Sequence, residues 1–266
     1  MNPLFDYIRT SLTPVYGPEE ARELAFWILE EEAGLSRSDV LACKDTKNIS
    51  NIEIILQKLL KKEPIQYIFG HTAWLGLDLN VTRDTLIPRP ETAELVEWIE
   101  GNRLRVLDIG TGSGCIAIAL KKRHPDWHVT GLDISAEALQ VARSNALKNQ
   151  VEADWIQADI LADVPHGKWD VIVSNPPYIC EEEKVLMDTN VLDYEPATAL
   201  FVPNEDPLLF YRRIAQLKLG KQLYFEINER FGQQVCEMLD FNGYFDIELK
   251  RDCYGKERMV RARIEG

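Results

Sequence analysis

The hydrophobic pattern changes its rhythm twice along the chain. Up to about residue 70 apolar positions recur every three or four residues. Ala21, Leu24, Ala25, Ile28 and Leu29 share one helical face, and Ile52, Ile55, Leu56 and Leu59 share another. Pro18 followed by Glu19 and Glu20 predicts a helix opening, with acidic charge at the positive end of its dipole. Ser36 with Asp39 and Ser50 with Glu53 read as capping boxes, and Pro64 stops the helix that Ser50 is expected to open. From Thr72 to Val81 the pattern shortens: Trp74, Leu75, Leu77, Leu79 and Val81 predict a hairpin around Gly76. A short helix is expected from Ala93 to Ile99.

From Leu104 onward, short β-branched runs alternate with amphipathic ones. Strands are predicted at 104–109, 129–133, 155–158, 170–174, 222–227, 244–250 and 257–263. Helices are predicted at 115–123, 137–148, 208–217 and 233–241. This order is that of an α/β, doubly wound, mostly parallel seven-stranded sheet, Rossmann-like in form. The turn at Tyr254-Gly255 is short, so the last two strands should be antiparallel. The expected organisation is an N-terminal helical domain over 1–70, a hairpin linker over 71–90 and a sheet domain over 91–266.

Composition narrows the classes. The 266 residues carry a formal net charge of −13 at pH 7, a poor basis for gripping nucleic-acid phosphates. No apolar run is long enough to span a bilayer, and Met1 to Thr10, with Asp6 and Arg9, lacks a signal-peptide core. Five scattered cysteines form no C-x-x-C pair and four histidines form no cluster. Reduced thiols, a cytoplasmic location and no metal are therefore expected.

Two loops carry candidate chemistry. Gly110, Thr111, Gly112, Ser113 and Gly114 close the first strand and open a helix, a place where a backbone can approach a ligand closely. A dinucleotide G-x-G-x-x-G would require glycine where Cys115 stands. Asp133, at the end of the second strand, can accept both hydroxyls of a ribose, and Asp159, after the third, is placed to meet an adenine edge. S-adenosylmethionine has a ribose and an adenine but no phosphates, and is favoured over NAD. The second loop follows the buried run Val171-Ile172-Val173. Asn175 offers an acceptor and an NH2 donor, Pro176 and Pro177 stiffen the turn and leave their carbonyls free, and Tyr178 adds a flat ring. Such a frame suits a planar group bearing NH2, and it falls where open α/β sheets bind ligands. A plain proline-rich turn after a strand is the simpler reading.

With these residues in place, the chain resembles the HemK/PrmC family of methyltransferases over nearly its whole length. The resemblance rests on Pro64 to Gly70, Pro88-Arg89-Pro90-Glu91-Thr92, Gly110 to Gly114, Asn175 to Tyr178, Tyr194-Glu195-Pro196 and Gly255-Lys256-Glu257-Arg258. It implies a class I fold that uses S-adenosylmethionine to methylate the glutamine of the Gly-Gly-Gln motif in class 1 peptide chain release factors. It also implies that Gly110 to Gly114, Asp133, Asp159, Ile160 and Asn175 hold the cofactor, and that Asn175, Pro176, Pro177 and Tyr178 bind the substrate glutamine. The helical domain would recognise that substrate, and a monomer is expected. Where the family usually has glycine this chain has Asn228, and where it often has an aromatic it has Ile160. The Asn-Pro-Pro-Tyr motif is shared with adenine-amino methyltransferases of nucleic acids, which stand as the alternative. An NAD-dependent oxidoreductase and a non-catalytic binding protein of the same fold are the other readings.

Overall fold

The computed structural model describes residues 2–45 and 50–265. Backbone contacts divide the chain into two compact units, 1–70 and 71–266.

The first unit is helical: α1 (Pro3–Ala33), α2 (Arg37–Leu41), α3 (Ile52–Leu60) and α4 (Ile65–Phe69). The opening expected at Pro18 is a kink within α1. Gly17 there takes φ 76°, a conformation that lets the chain bend before a proline that cannot continue the helical hydrogen bonds. The two predicted apolar faces meet in one core with Phe5, Ile8 and Leu12. The Ser36–Asp39 capping box forms. The Ser50–Glu53 box does not: α3 is capped at Asn51 with no side-chain bond, and Glu53 instead accepts a 2.7 Å bond from the Tyr7 hydroxyl.

The second unit opens on the hairpin β1 (His71–Trp74) and β2 (Leu77–Asn80), with Leu75 and Gly76 both at positive φ, the pattern of a two-residue hairpin turn. There follow α5 (Pro90–Trp98), β3 (Arg105–Ile109), α6 (Cys115–Arg123), β4 (His128–Asp133), α7 (Ala136–Lys148), β5 (Asp154–Gln157) and β6 (Trp169–Ser174). An excursion then carries β7 (Ile179–Cys180), α8 (Thr189–Tyr194), α9 (Ala197–Leu200) and β8 (Phe201–Val202). The chain ends with α10 (Leu209–Leu217), β9 (Gly220–Glu226), α11 (Gly232–Phe241), β10 (Phe245–Arg251) and β11 (Glu257–Arg263).

The seven-stranded sheet has the order β10-β11-β9-β6-β3-β4-β5. Strands β3, β4, β5, β6 and β9 run parallel, and β11 lies antiparallel between β9 and β10. Helices cover both faces over two apolar clusters, one around Leu95, Val106, Ile118 and Trp127, the other around Ile109, Ile172, Phe225 and Val235. This is the predicted mixed, doubly wound sheet. The hairpin is held on the same unit: the Asn80 N–H donates to Asn145 Oδ1 at 2.7 Å, and Asn145 Nδ2 returns a bond to the Asn80 carbonyl at 2.9 Å. Strand order reverses at β3, which has β6 on one side and β4 on the other. Loops leaving the carboxyl ends of β3 and β6 must diverge there, and a crevice opens between them.

Candidate active site

That crevice is a cavity of about 380 Å³. Its walls include the whole Gly110 to Ser113 turn, Asp133, Asp159, Ile160, Asn175, Pro176 and Pro177, so most of the predicted site residues converge on it.

The glycine turn is held from behind by β4. The Gly110 and Thr111 N–H groups both donate to the Leu132 carbonyl, at 2.8 and 2.9 Å, Gly112 N–H donates to Asp133 Oδ2 at 2.8 Å, and Gly114 N–H donates to Thr111. Four amides of the turn are thereby consumed, so the turn does not present the free N–H cradle that pyrophosphate requires. A dinucleotide is disfavoured on that ground. Gly112 at φ 54° has open space where a side chain would stand, while a Cβ on Gly114 would press on Ala142, Ile118 and Trp155 at about 3 Å. The first position leaves room for a ligand and the second lets α6 close onto the sheet.

Asp133 stands at the rim. Its Oδ1 accepts from Ser135 N–H at 3.0 Å and its Oδ2 from Gly112, the Ile134 N–H is a third backbone donor, and the residue lines the cavity. Burial pushes its carboxyl above the usual range, against the pull of these backbone donors. Asp159 Oδ1 accepts from Leu161 N–H at 2.9 Å, and Ile160 is buried beside it, so this end of the cavity is an apolar slot edged by one carboxylate. Beneath the turn, Asp108 is fully buried. Its Oδ2 accepts from the Thr111 hydroxyl at 2.5 Å and Ala117 N–H at 3.2 Å, its Oδ1 has no partner, and burial raises its carboxyl to about 7. Burial also pushes the neighbouring Cys115 thiol up to about 12.

At the other end, Ser174 Oγ donates to the Ile109 carbonyl at 2.7 Å, tying β6 to β3 just before Asn175. Asn175 Nδ2 donates to Thr92 Oγ1 at 3.3 Å. Thr92 Oγ1 donates to Glu226 Oε2 at 2.6 Å, and the Tyr178 hydroxyl donates to Glu226 Oε1 at 3.1 Å. Tyr178 is thus turned toward β9 and packs on the apolar cluster under the sheet; the aromatic rings on the cavity wall are Phe201 and Phe210. Asn228 serves the same turn, its Nδ2 donating to the Tyr178 carbonyl at 3.1 Å and to Glu183 Oε1 at 2.9 Å. Arg89 also lines the cavity. Its Nη2 donates to buried Glu195 at 2.6 Å, and Glu195 accepts from the Ile87 N–H as well, so the two distant segments Pro88–Thr92 and Tyr194–Pro196 form one wall. Sequence reasoning missed Thr92 and Glu226 as neighbours of Asn175. Both lay in stretches singled out for other reasons, and nothing local signals their meeting.

A doubly wound sheet with a glycine turn and an Asn-Pro-Pro-Tyr loop at the strand reversal defines a Rossmann-like methyltransferase. In agreement, the methyltransferase small domain model matches residues 90–192. The hMettl16 catalytic domain, solved with a 3′UTR hairpin, shares this fold at TM-score 0.61 and 18% identity, over 98% of this chain and 91% of that one. A methyltransferase from Pyrococcus furiosus does so at TM-score 0.55 and 18% identity, over 82% and 99%. The chain belongs to the release factor glutamine methyltransferase family: it is 45% identical to the member from Bacteroides thetaiotaomicron over 98% of this chain and 99% of that one. It is 42% identical to the member from Flavobacterium psychrophilum, over 96% and 95%.

Proposed function

We propose that this protein transfers the methyl group of S-adenosylmethionine to the side-chain nitrogen of the glutamine in the Gly-Gly-Gln motif of class 1 peptide chain release factors, in support of translation termination. The observation that carries this reading is the placement of Asn175 and Asp133 on one cavity, at the ends of β6 and β4. The residues present fit the cofactor. Asp133 lines the cavity as an acceptor for ribose hydroxyls, Gly112 leaves space, and Ala158, Asp159, Ile160 and Leu161 frame a slot for adenine. When bound, S-adenosylmethionine supplies an electrophilic methyl on a sulfonium.

The chain's own residues supply orientation. An amide nitrogen is a poor nucleophile because its lone pair is conjugated with the carbonyl, and losing that conjugation fully costs about 18–20 kcal/mol. Asn175 Oδ1 and the Pro176 carbonyl accept the two hydrogens of the glutamine NH2, which fixes the nitrogen and favours a more tetrahedral geometry. Positioning of this kind can lower a barrier by up to roughly 7–11 kcal/mol. No base is needed beforehand, because the nitrogen becomes acidic once methylated.

Exposed Leu41, Ile54 and Leu60 support a role for the helical unit in recognising the protein substrate. Five free cysteines support action in the cytoplasm, and among the described residues no helix is long and apolar enough to cross a membrane. The net charge of −13 disfavours nucleic acid as the substrate. The protein is read as a monomer. Incubation with labelled S-adenosylmethionine and a purified release factor tests the reading. Label is expected in the wild-type factor and absent when the glutamine of Gly-Gly-Gln is changed to alanine. Equal label in both would overturn it.

A further inference from the structure

A carboxamide is nearly symmetrical in shape, so packing alone does not decide which way Asn175 presents its oxygen. The hydrogen bonds behind it do. Glu226 is 1% exposed at the carboxyl end of β9, and two hydroxyls face it, Thr92 Oγ1 at 2.6 Å and Tyr178 Oη at 3.1 Å. In its ionised form Glu226 only accepts, so both hydroxyls donate to it. Burial raises the Glu226 carboxyl above its usual range, against the pull of the two donors and the nearby positive charge of Arg258. A threonine hydroxyl has one proton. With that proton committed to Glu226, Thr92 offers only lone pairs, and the atom of Asn175 at 3.3 Å from it must be the NH2 nitrogen.

We propose that Glu226, acting through Thr92, sets the direction of the Asn175 carboxamide, so that Oδ1 is left to accept a hydrogen from the substrate amide. Thr92 and Glu226 are positioning residues. The inference rests on the reading of Asn175 as the acceptor for the glutamine NH2. Were the carboxamide reversed, a donor would meet a donor at the reacting nitrogen. The arrangement also gives the segment Pro88–Thr92 a task, since the helix that starts at Pro90 is what carries Thr92 to β6 and β9.

The test pairs kinetics with a measurement independent of substrate. Thr92→Val removes the hydroxyl at constant shape. It should lower kcat for release-factor methylation ten- to hundredfold, with the Kd for S-adenosylmethionine and the KM for the release factor within threefold. Thr92→Ser keeps the hydroxyl and should stay within threefold of wild type. Glu226→Ala should lower kcat, and the double variant with Thr92→Val should lose clearly less than the product of the two single losses, because the two act in series. Full kcat in Thr92→Val, an equal loss in Thr92→Ser, a loss confined to KM, or multiplying losses in the double variant would each overturn the proposal. Melting temperature and cofactor affinity report whether each variant is folded. In 15N-labelled wild type without substrate, nuclear Overhauser contacts from the Asn175 NH2 protons to Thr92 are expected. Their absence would overturn the orientation whatever the substrate is. Failure of the wild type to methylate a release factor, with those contacts present, would instead sink the substrate assignment and spare the orientation.

Discussion

The two units solve the same folding problem with different interiors. Both bury aliphatic faces, and in the first almost nothing else is inside: among the described residues of 1–70, Asn2 is the one buried polar side chain. The second unit buries Thr92, Asp108, Thr111, Ser113, Asn145, Ser174, Glu195, Glu226, Asn228 and others. Most of these cluster where the carboxyl ends of the strands meet the cavity. Burying a polar group costs free energy unless a partner is found, and Asp108 Oδ1 has found none. The interior of the helical unit shows what this chain builds where stability alone shapes the core. The second shows where it accepts a penalty, and that location marks the chemistry.

The largest effect is expected at Asn175. Asn175→Ala should cut methyl transfer by two or more orders of magnitude while leaving thermal stability close to wild type, because the residue is only half-buried. A rate near wild type would deny the polar interior of the second unit its functional meaning.

A smaller effect should appear in the pH dependence of stability. Asp108 holds its proton up to about pH 7 in the fold and releases it near 3.8 when free. The native state therefore binds a proton that the unfolded state has lost, and stability present below pH 4 drains away as pH rises toward 7. Asp133 and Glu226, both raised by burial, act with the same sign. Asp108→Asn should flatten the fall in urea midpoint between pH 4 and 7, a share on the order of a few kcal/mol. Parallel curves for variant and wild type would show that the buried acid carries no such penalty.

The smallest effect belongs to the helical unit. Asn2 caps α1, its Oδ1 accepting from Leu4 and Phe5 N–H at 3.0 and 3.2 Å. Asn2→Ala should cost about 1 kcal/mol of stability by denaturant melting, with cofactor affinity unchanged. A change in cofactor affinity would blur the distinction between the units.

Much of this was legible in the sequence because it is local. The β-branched run before Asn175, the glycine turn and Asp133 at the end of β4 follow from periodicity and from the chemistry of a few adjacent residues. The helical faces of 1–70 follow from spacing alone. What escaped is long-range. Thr92 and Glu226 lie 134 positions apart, and Glu226 reads as one more residue of an apolar strand until the fold sets it against a hydroxyl. The bond from the Tyr178 hydroxyl to buried Glu226 is equally long-range, and the rings of Phe201 and Phe210 on the cavity wall had no local signal. The cap at Ser50 failed for a related reason, since its partner Glu53 had a competing donor in Tyr7.

One consequence follows from the pairing of Ile109 with Ser174 in adjacent parallel strands. The glycine turn and the Asn175 loop begin on neighbouring strands, whose spacing is about 4.8 Å in every protein. The sheet is thus a ruler that no loop mutation can stretch. The starting points of the two loops are therefore set before either loop is built, whatever the loops themselves contain.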